Sequence, residues 1–80
     1  MKVTVLLFAR FRELAGSSAV EVEVPEGATL ASVWAAVVER APRLKDQGAP
    51  LLARDRAYAR PQDPVIGRQE IAAFPPVGGG

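Results

Sequence analysis

Val3-Thr4-Val5-Leu6-Leu7-Phe8, answered further on by Val20-Glu21-Val22-Glu23-Val24, is the stretch on which the fold turns. Successive side chains of a strand point to opposite faces, so Val3, Val5 and Leu7 share one face and Thr4, Leu6 and Phe8 the other. Both faces are largely apolar, as in a central strand covered on one side and partly used on the other. The second run alternates valine with glutamate, which gives one buried and one wet face. Gly16-Ser17-Ser18 marks a turn. The two runs read as a hairpin, with residues 12–16 in a long connection.

Beyond the hairpin, Pro25-Glu26-Gly27 stops the second strand. Thr29 is placed to cap a helix whose apolar positions Leu30, Val33, Trp34, Val37 and Val38 keep helical spacing. Its capping box is incomplete, because Ser32 stands where a Glu or Gln would reach back. Pro42 limits the helix to about Ala41. Gly48 and Pro50 mark a loop, and Leu51-Leu52-Ala53 and Ala57-Tyr58-Ala59 read as short strands around Arg54-Asp55-Arg56. Pro61, Pro64 and Gly67 punctuate an irregular segment. Residues 70–74 read as a last strand, with Ile71 and Ala73 on one face and Ala72 and Phe74 on the other. The order ββαβ(β)β implies an α+β roll, a mixed sheet of four or five strands with one main helix on one face. Whether the last strand lies parallel beside the first is left open by the pattern.

The chain has 80 residues, 49% apolar and 24% charged, with no cysteine and no histidine. One domain with a modest core is the ceiling at that length. Lacking cysteine, it has no disulfide, thiolate nucleophile or thiolate metal site. Lacking histidine, it has neither the usual general base nor the commonest metal ligand. The formal net charge of +1 gives no footprint for nucleic acid or an anionic membrane. The apolar N-terminal run is broken by Thr4, ends in charge and has no cleavage-site pattern, so it reads as a strand rather than a signal peptide. The chain is expected to be soluble and cytoplasmic.

No self-contained active site is visible. Ser17 and Ser18 lie in a turn with no imidazole to activate them. Glu21 and Glu23 sit at strand spacing on the wet face, and the glycines at 16, 27, 48 and 67 are isolated rather than gathered in a phosphate loop. Arg54, Arg56, Arg60 and Arg68 form a loose basic group, readable as solvated loops or as a patch for an acidic partner.

The end of the chain is different. In Phe74-Pro75-Pro76-Val77-Gly78-Gly79-Gly80 the prolines favour extended geometry and cannot continue a strand ladder. The last four residues span roughly 13 Å when extended, at ~3.3 Å each, enough to place the terminal carboxylate in another protein's pocket. Glycines suit a narrow channel because they lack Cβ. Taken alone, such a run could equally be a frayed terminus.

This ending resembles the FPPV-x-GG terminus of the small, sulfur-carrying subunit of molybdopterin synthase. Leu7-Phe8-Ala9-Arg10-Phe11-Arg12-Glu13-Leu14-Ala15-Gly16 is similar to that family's first strand and the "RELAG" segment after it. The middle departs from the family, with Gly67-Arg68-Gln69-Glu70 where a Gly-Asp-Glu turn is common and no asparagine within residues 51–59. The resemblance implies a β-grasp, ubiquitin-like domain over residues 1–76 and a flexible glycine tail over 77–80.

It also implies a division of labour. Gly80 is the reacting site, adenylated by a separate ATP-dependent enzyme and converted by a sulfur donor system to a thiocarboxylate. The tail of Pro75, Pro76, Val77, Gly78 and Gly79 delivers it to the large catalytic subunit, within a heterotetramer, where cyclic pyranopterin monophosphate takes up the sulfur. The carrier binds no cofactor or metal of its own, and ATP belongs to the activating enzyme. Leu6, Phe8 and Phe74 are the expected partner-binding residues, and Arg12 the expected contact with the activating enzyme. A protein modifier joined through Gly80, a sulfur carrier for thiamine or tRNA thiolation, and a plain interaction module are the competing readings.

Overall fold

The structure is a computed structural model and describes residues 1–66 and 70–76. Strand β1 (Lys2–Leu7) pairs antiparallel with β2 (Ala19–Glu23), placing Val3 opposite Val22 and Val5 opposite Val20. Strand β5 (Ile71–Phe74) lies parallel beside β1, with Val5 opposite Ile71 and Leu7 opposite Ala73. Strand β3 (Leu51–Arg54) pairs antiparallel with both β5 and β4 (Ala57–Ala59), giving the sheet order β2-β1-β5-β3-β4. The expected mixed sheet is therefore present, and its open question is answered: the first and last strands are parallel neighbours at the centre.

The longer helix runs over Leu30–Arg40 and ends where Pro42 requires. Thr29 caps it, its Oγ1 accepting from the Ser32 N–H at 3.2 Å. Two more first-turn N–H groups, on Leu30 and Ala31, donate to the carbonyls of Asp63 and Pro61. The irregular segment thus satisfies a helix end that would otherwise waste its donors. Leu30, Val33 and Val37 are buried against the core-facing residues Val3, Val5, Leu7, Val22, Ile71 and Ala73.

Residues 12–16 are not an irregular connection as the sequence suggests. A short helix, α1, occupies Ala9–Ala15, and the helix over Leu30–Arg40 is accordingly α2. Phe11, Leu14 and Ala15 have helical spacing, but seven residues give too few turns for the period to stand out from a hairpin connection. So short a helix is not stable alone; here the fully buried Phe11 pins it, its ring 4.9 Å from that of Trp34 on α2. Gly16, at φ 72°, ends α1 in the left-handed cap that glycine adopts without penalty. A 3-10 turn over Pro42–Leu44 closes the same side with Leu44 in the core.

The β3–β4 hairpin turns through Asp55 and Arg56, both at positive φ (50° and 70°). A two-residue turn of this kind ordinarily takes Asp-Gly or Asn-Gly. Asp55 anchors it: its N–H donates to the Glu70 carbonyl at 2.8 Å, and its Oδ1 accepts from the Glu70 N–H at 2.9 Å. Arg56 has a Cβ where glycine has none, so Arg56→Gly is expected to stabilise the fold by about 0.5–1 kcal/mol. A thermal melt should show a rise of a few degrees, at roughly 4–8 °C per kcal/mol for a chain of this size; an unchanged or lower midpoint would show that the arginine side chain offsets its own backbone strain.

Candidate functional site

Alternation along β1 and β5 leaves Thr4, Leu6, Ala72 and Phe74 on the face opposite the helices. The register adds Ala53, opposite Ala72, and Tyr58, opposite Ala53. Phe8 follows β1 in extended conformation (φ −126°, ψ 155°) and reaches the same side. Its ring stacks on that of Phe74 with centroids 4.7 Å apart and planes 12° from parallel. Leu6, Phe8, Ala53, Tyr58, Ala72 and Phe74 line a concavity of about 290 Å³, with Arg56 and Glu70 beside them. Phe8 is 38% exposed and Tyr58 78%. An open aromatic patch of this sort on a small domain is a mark of partner contact.

Leu6, Phe8 and Phe74 are thus brought together as the alternation anticipates. Tyr58, Ala53, Arg56 and Glu70 escape sequence reasoning, because their membership depends on the pairing of β3 with β5. The positive signal was local and weak, a two-residue turn between short apolar strands. Arg12 lies elsewhere, exposed on α1, and among the described residues no carboxylate is within ion-pair distance of it.

The three described arginines of the loose basic group have different surroundings. The Arg54 Nη1 donates to the Pro64 carbonyl at 2.6 Å, and Arg60 pairs with Asp63 at 3.7 Å. Arg56 alone of the described three borders the concavity, while Arg68 lies outside the described residues. Among the described residues no polar or charged side chain is buried, and no cluster of acidic side chains could hold a metal ion. No helix of the described residues is long and apolar enough to cross a membrane.

Strand β5 leads straight from this face to the end of the chain. After Phe74 comes Pro75, half-buried, and then Pro76, exposed. The β3–β5 ladder stops at the pair Leu51–Phe74. Pro75 and Pro76 have no N–H to extend it, and neither has Pro50, the next residue on the other side. Val77, Gly78, Gly79 and Gly80 lie outside the described residues.

Comparison with known proteins completes the picture. Residues 5–80 match the model of the ThiS family. The chain belongs to that family. Two full-length relatives are molybdopterin synthase sulfur carrier subunits. The one from Arabidopsis thaliana is 33% identical, covering all of this chain and 84% of its own length; that from Chlamydomonas reinhardtii is 32% identical over the whole of both. Among solved structures, small archaeal modifier protein 1 of Haloferax volcanii matches with a TM-score of 0.86 and 30% identity, covering 95% of this chain and 98% of that one. A chain in the complex of molybdopterin-converting factor subunits 1 and 2 from Helicobacter pylori shares the fold, at 21% identity, TM-score 0.66 and full coverage of both chains. The architecture of this ThiS-family chain is the ubiquitin-like β-grasp of its neighbours.

The two faces of the sheet should respond differently to truncation. Phe11→Ala empties a fully buried site and should cost ~3–5 kcal/mol. Phe8→Ala removes a ring on the open face and should cost about 1 kcal/mol, the worth of an aromatic pair. Urea unfolding compares them; an equal or larger loss for Phe8 would place the stacked pair in the core rather than on a contact surface.

Proposed function

We propose that this chain is the sulfur carrier of a molybdopterin synthase, reacting through the terminal carboxylate of Gly80. The supporting observation is the continuity of an open aromatic face with a proline-rigid exit into the terminal glycines, in a chain whose full-length relatives carry that function.

A carboxylate is a poor electrophile. An ATP-dependent activating enzyme therefore joins the Gly80 carboxylate to the adenylyl group of ATP, with pyrophosphate leaving. A sulfur nucleophile from the donor system then displaces AMP, and the terminus becomes a thiocarboxylate. Cyclic pyranopterin monophosphate accepts the sulfur in the large subunit, and its dithiolene requires two loaded carriers. Acid–base groups and the pterin pocket belong to that partner; the carrier binds no cofactor or metal itself. Val77, Gly78 and Gly79 carry Gly80 through the narrow entrance of that partner, with Pro75 and Pro76 immediately before them.

The concavity around Leu6, Phe8 and Phe74 docks on the large subunit, to which the names of the relatives point by calling them subunits. Arg12, exposed on α1 and outside the lining of that concavity, meets an acidic group of the activating enzyme. The likeness to an archaeal modifier protein favours one alternative: after the same activation, Gly80 is joined to lysines of other proteins.

Incubation with the activating enzyme, ATP and a sulfur donor should add one sulfur in place of one oxygen by intact-mass measurement. No such gain would refute the carrier reading, and Gly80 found in isopeptide linkage to cellular lysines would favour the modifier. Removing Gly80, or adding a residue after it, should abolish sulfur transfer with an unchanged melting curve; full transfer by the extended form would refute the role of the terminus. Phe74→Ala should weaken large-subunit binding by ~2 kcal/mol or more, about thirtyfold, with a smaller loss of fold stability; an unchanged dissociation constant would remove Phe74 from the docking surface.

A further inference from the structure

Two glycines of this chain have nearly the same φ and very different surroundings. Gly27 has φ +84° and Gly48 φ +85°. A Cβ added at Gly27 would meet nothing within 4 Å. At Gly48 it would stand 3.1 Å from Cγ and 3.9 Å from Cδ of Pro76, the last described residue before the terminal four. Left-handed conformation explains glycine at both positions; only at Gly48 is the absent side chain also filled by a neighbour.

The loop bearing Gly48 is braced from beneath. Leu44 is buried, the Lys45 N–H donates to the Pro42 carbonyl at 3.0 Å, and Arg10 on α1 donates its Nε–H to Gln47 Oε1 at 3.1 Å. The loop then runs antiparallel to the departing chain, because Leu51 is the partner of Phe74. Among the described residues no backbone hydrogen bond joins Gly48, Ala49 or Pro50 to Pro75 or Pro76, and the three prolines supply no donors. Close packing is what remains. Gly48 and Pro76 are both exposed, so their contact contributes little to the core. Its effect is to fix where the Pro76 ring sits.

We propose that Gly48 is a positioning residue for the reacting terminus: its bare backbone is the seat of Pro76, and that seat sets the heading from which residues 77–80 start. The inference rests on the carrier function and assigns Gly48 a part in it. A side chain at Gly48 would require the ring to give by a few tenths of an ångström, so that the activating enzyme meets Gly80 from a shifted root. Misplacement at the root of a short arm acts on productive binding rather than on the chemistry of the carboxylate.

Asparagine tolerates positive φ better than other side chains, so Gly48→Asn and Gly27→Asn place the same side chain at nearly equal φ and differ in the Pro76 contact. With each as substrate of the ATP-dependent adenylation, Gly48→Asn is expected to raise KM on the order of fivefold or more with kcat little changed. Gly27→Asn should match the wild type, and the melting temperatures of the two variants should agree. In a Pro76→Ala background, which removes the ring, the KM effect of Gly48→Asn should largely vanish. Equal KM for the two asparagine variants, or an effect that persists undiminished in Pro76→Ala, would overturn the proposal. The backbone amide resonance of Val77 supplies a readout independent of activity. It should move in Gly48→Asn and stay in Gly27→Asn, and the same position in both would overturn the seat. A wild-type chain that takes no adenylate would sink the carrier function, and the Val77 resonance would still decide whether Gly48 seats Pro76.

Discussion

Everything in this domain depends on β5 being a central strand. It lies between β1, parallel, and β3, antiparallel, so both its edges are hydrogen-bonded and its two faces are assigned without freedom. A slip of one residue would exchange Ile71 and Ala73, which are fully buried, for Ala72 and Phe74. That rigidity is useful because β5 is also the last element before the terminus. A strand paired on both edges is thus the one that presents Phe74 to the open face and leads into Pro75 and Pro76.

The core behind this arrangement is small, and it is assembled from parts that could not stand alone. Helix α1 has seven residues and β4 three. Each is retained by what it touches: Phe11 against Trp34, Asp55 against Glu70, the carbonyls of residues 61 and 63 against the first turn of α2. Backbone strain is accepted at Ala9, Asp46, Asp55 and Arg56, all non-glycine residues at positive φ. Two of these four flank the aromatic face directly: Ala9 follows Phe8, and Arg56 borders the concavity. Positive φ at Ala9 and Arg56 thus lies beside the open aromatic face.

What the sequence disclosed and what it withheld divide along physical lines. Alternation gave the faces of β1, β2 and β5 because period two is visible in five or six residues, and Thr29 and Pro42 bracketed α2 because caps and breakers act locally. Helix α1 was missed because one buried phenylalanine and two small contacts do not make a period. The contributions of Tyr58, Arg56 and Glu70 to the aromatic face depend on a pairing between β3 and β5, separated by a loop and an irregular segment, and no local signal encodes that register. The four arginines looked alike as letters; Arg54 and Arg60 turn out to hold backbone and carboxylate within their own loops. The seat of Pro76 on Gly48 was equally invisible, since an isolated glycine at a loop tip has an adequate local explanation.

A carrier whose reacting atom lies at its terminus cannot use a pocket of its own to choose among partners. Discrimination must then come from surface and from heading. The glycines themselves discriminate poorly, because any enzyme able to accept one bare arm can accept another. A thiocarboxylate also needs no recognition beyond access. What separates one ubiquitin-like carrier from the next is therefore the face that must dock before the arm can enter, and the direction in which the arm is offered once docking has occurred. Under the carrier function proposed for this chain, both would rest on one strand, with Phe74 on the open face and the prolines directly after it. Selectivity and reach are coupled by covalent connection, so a shift of β5 that spoiled one would spoil the other.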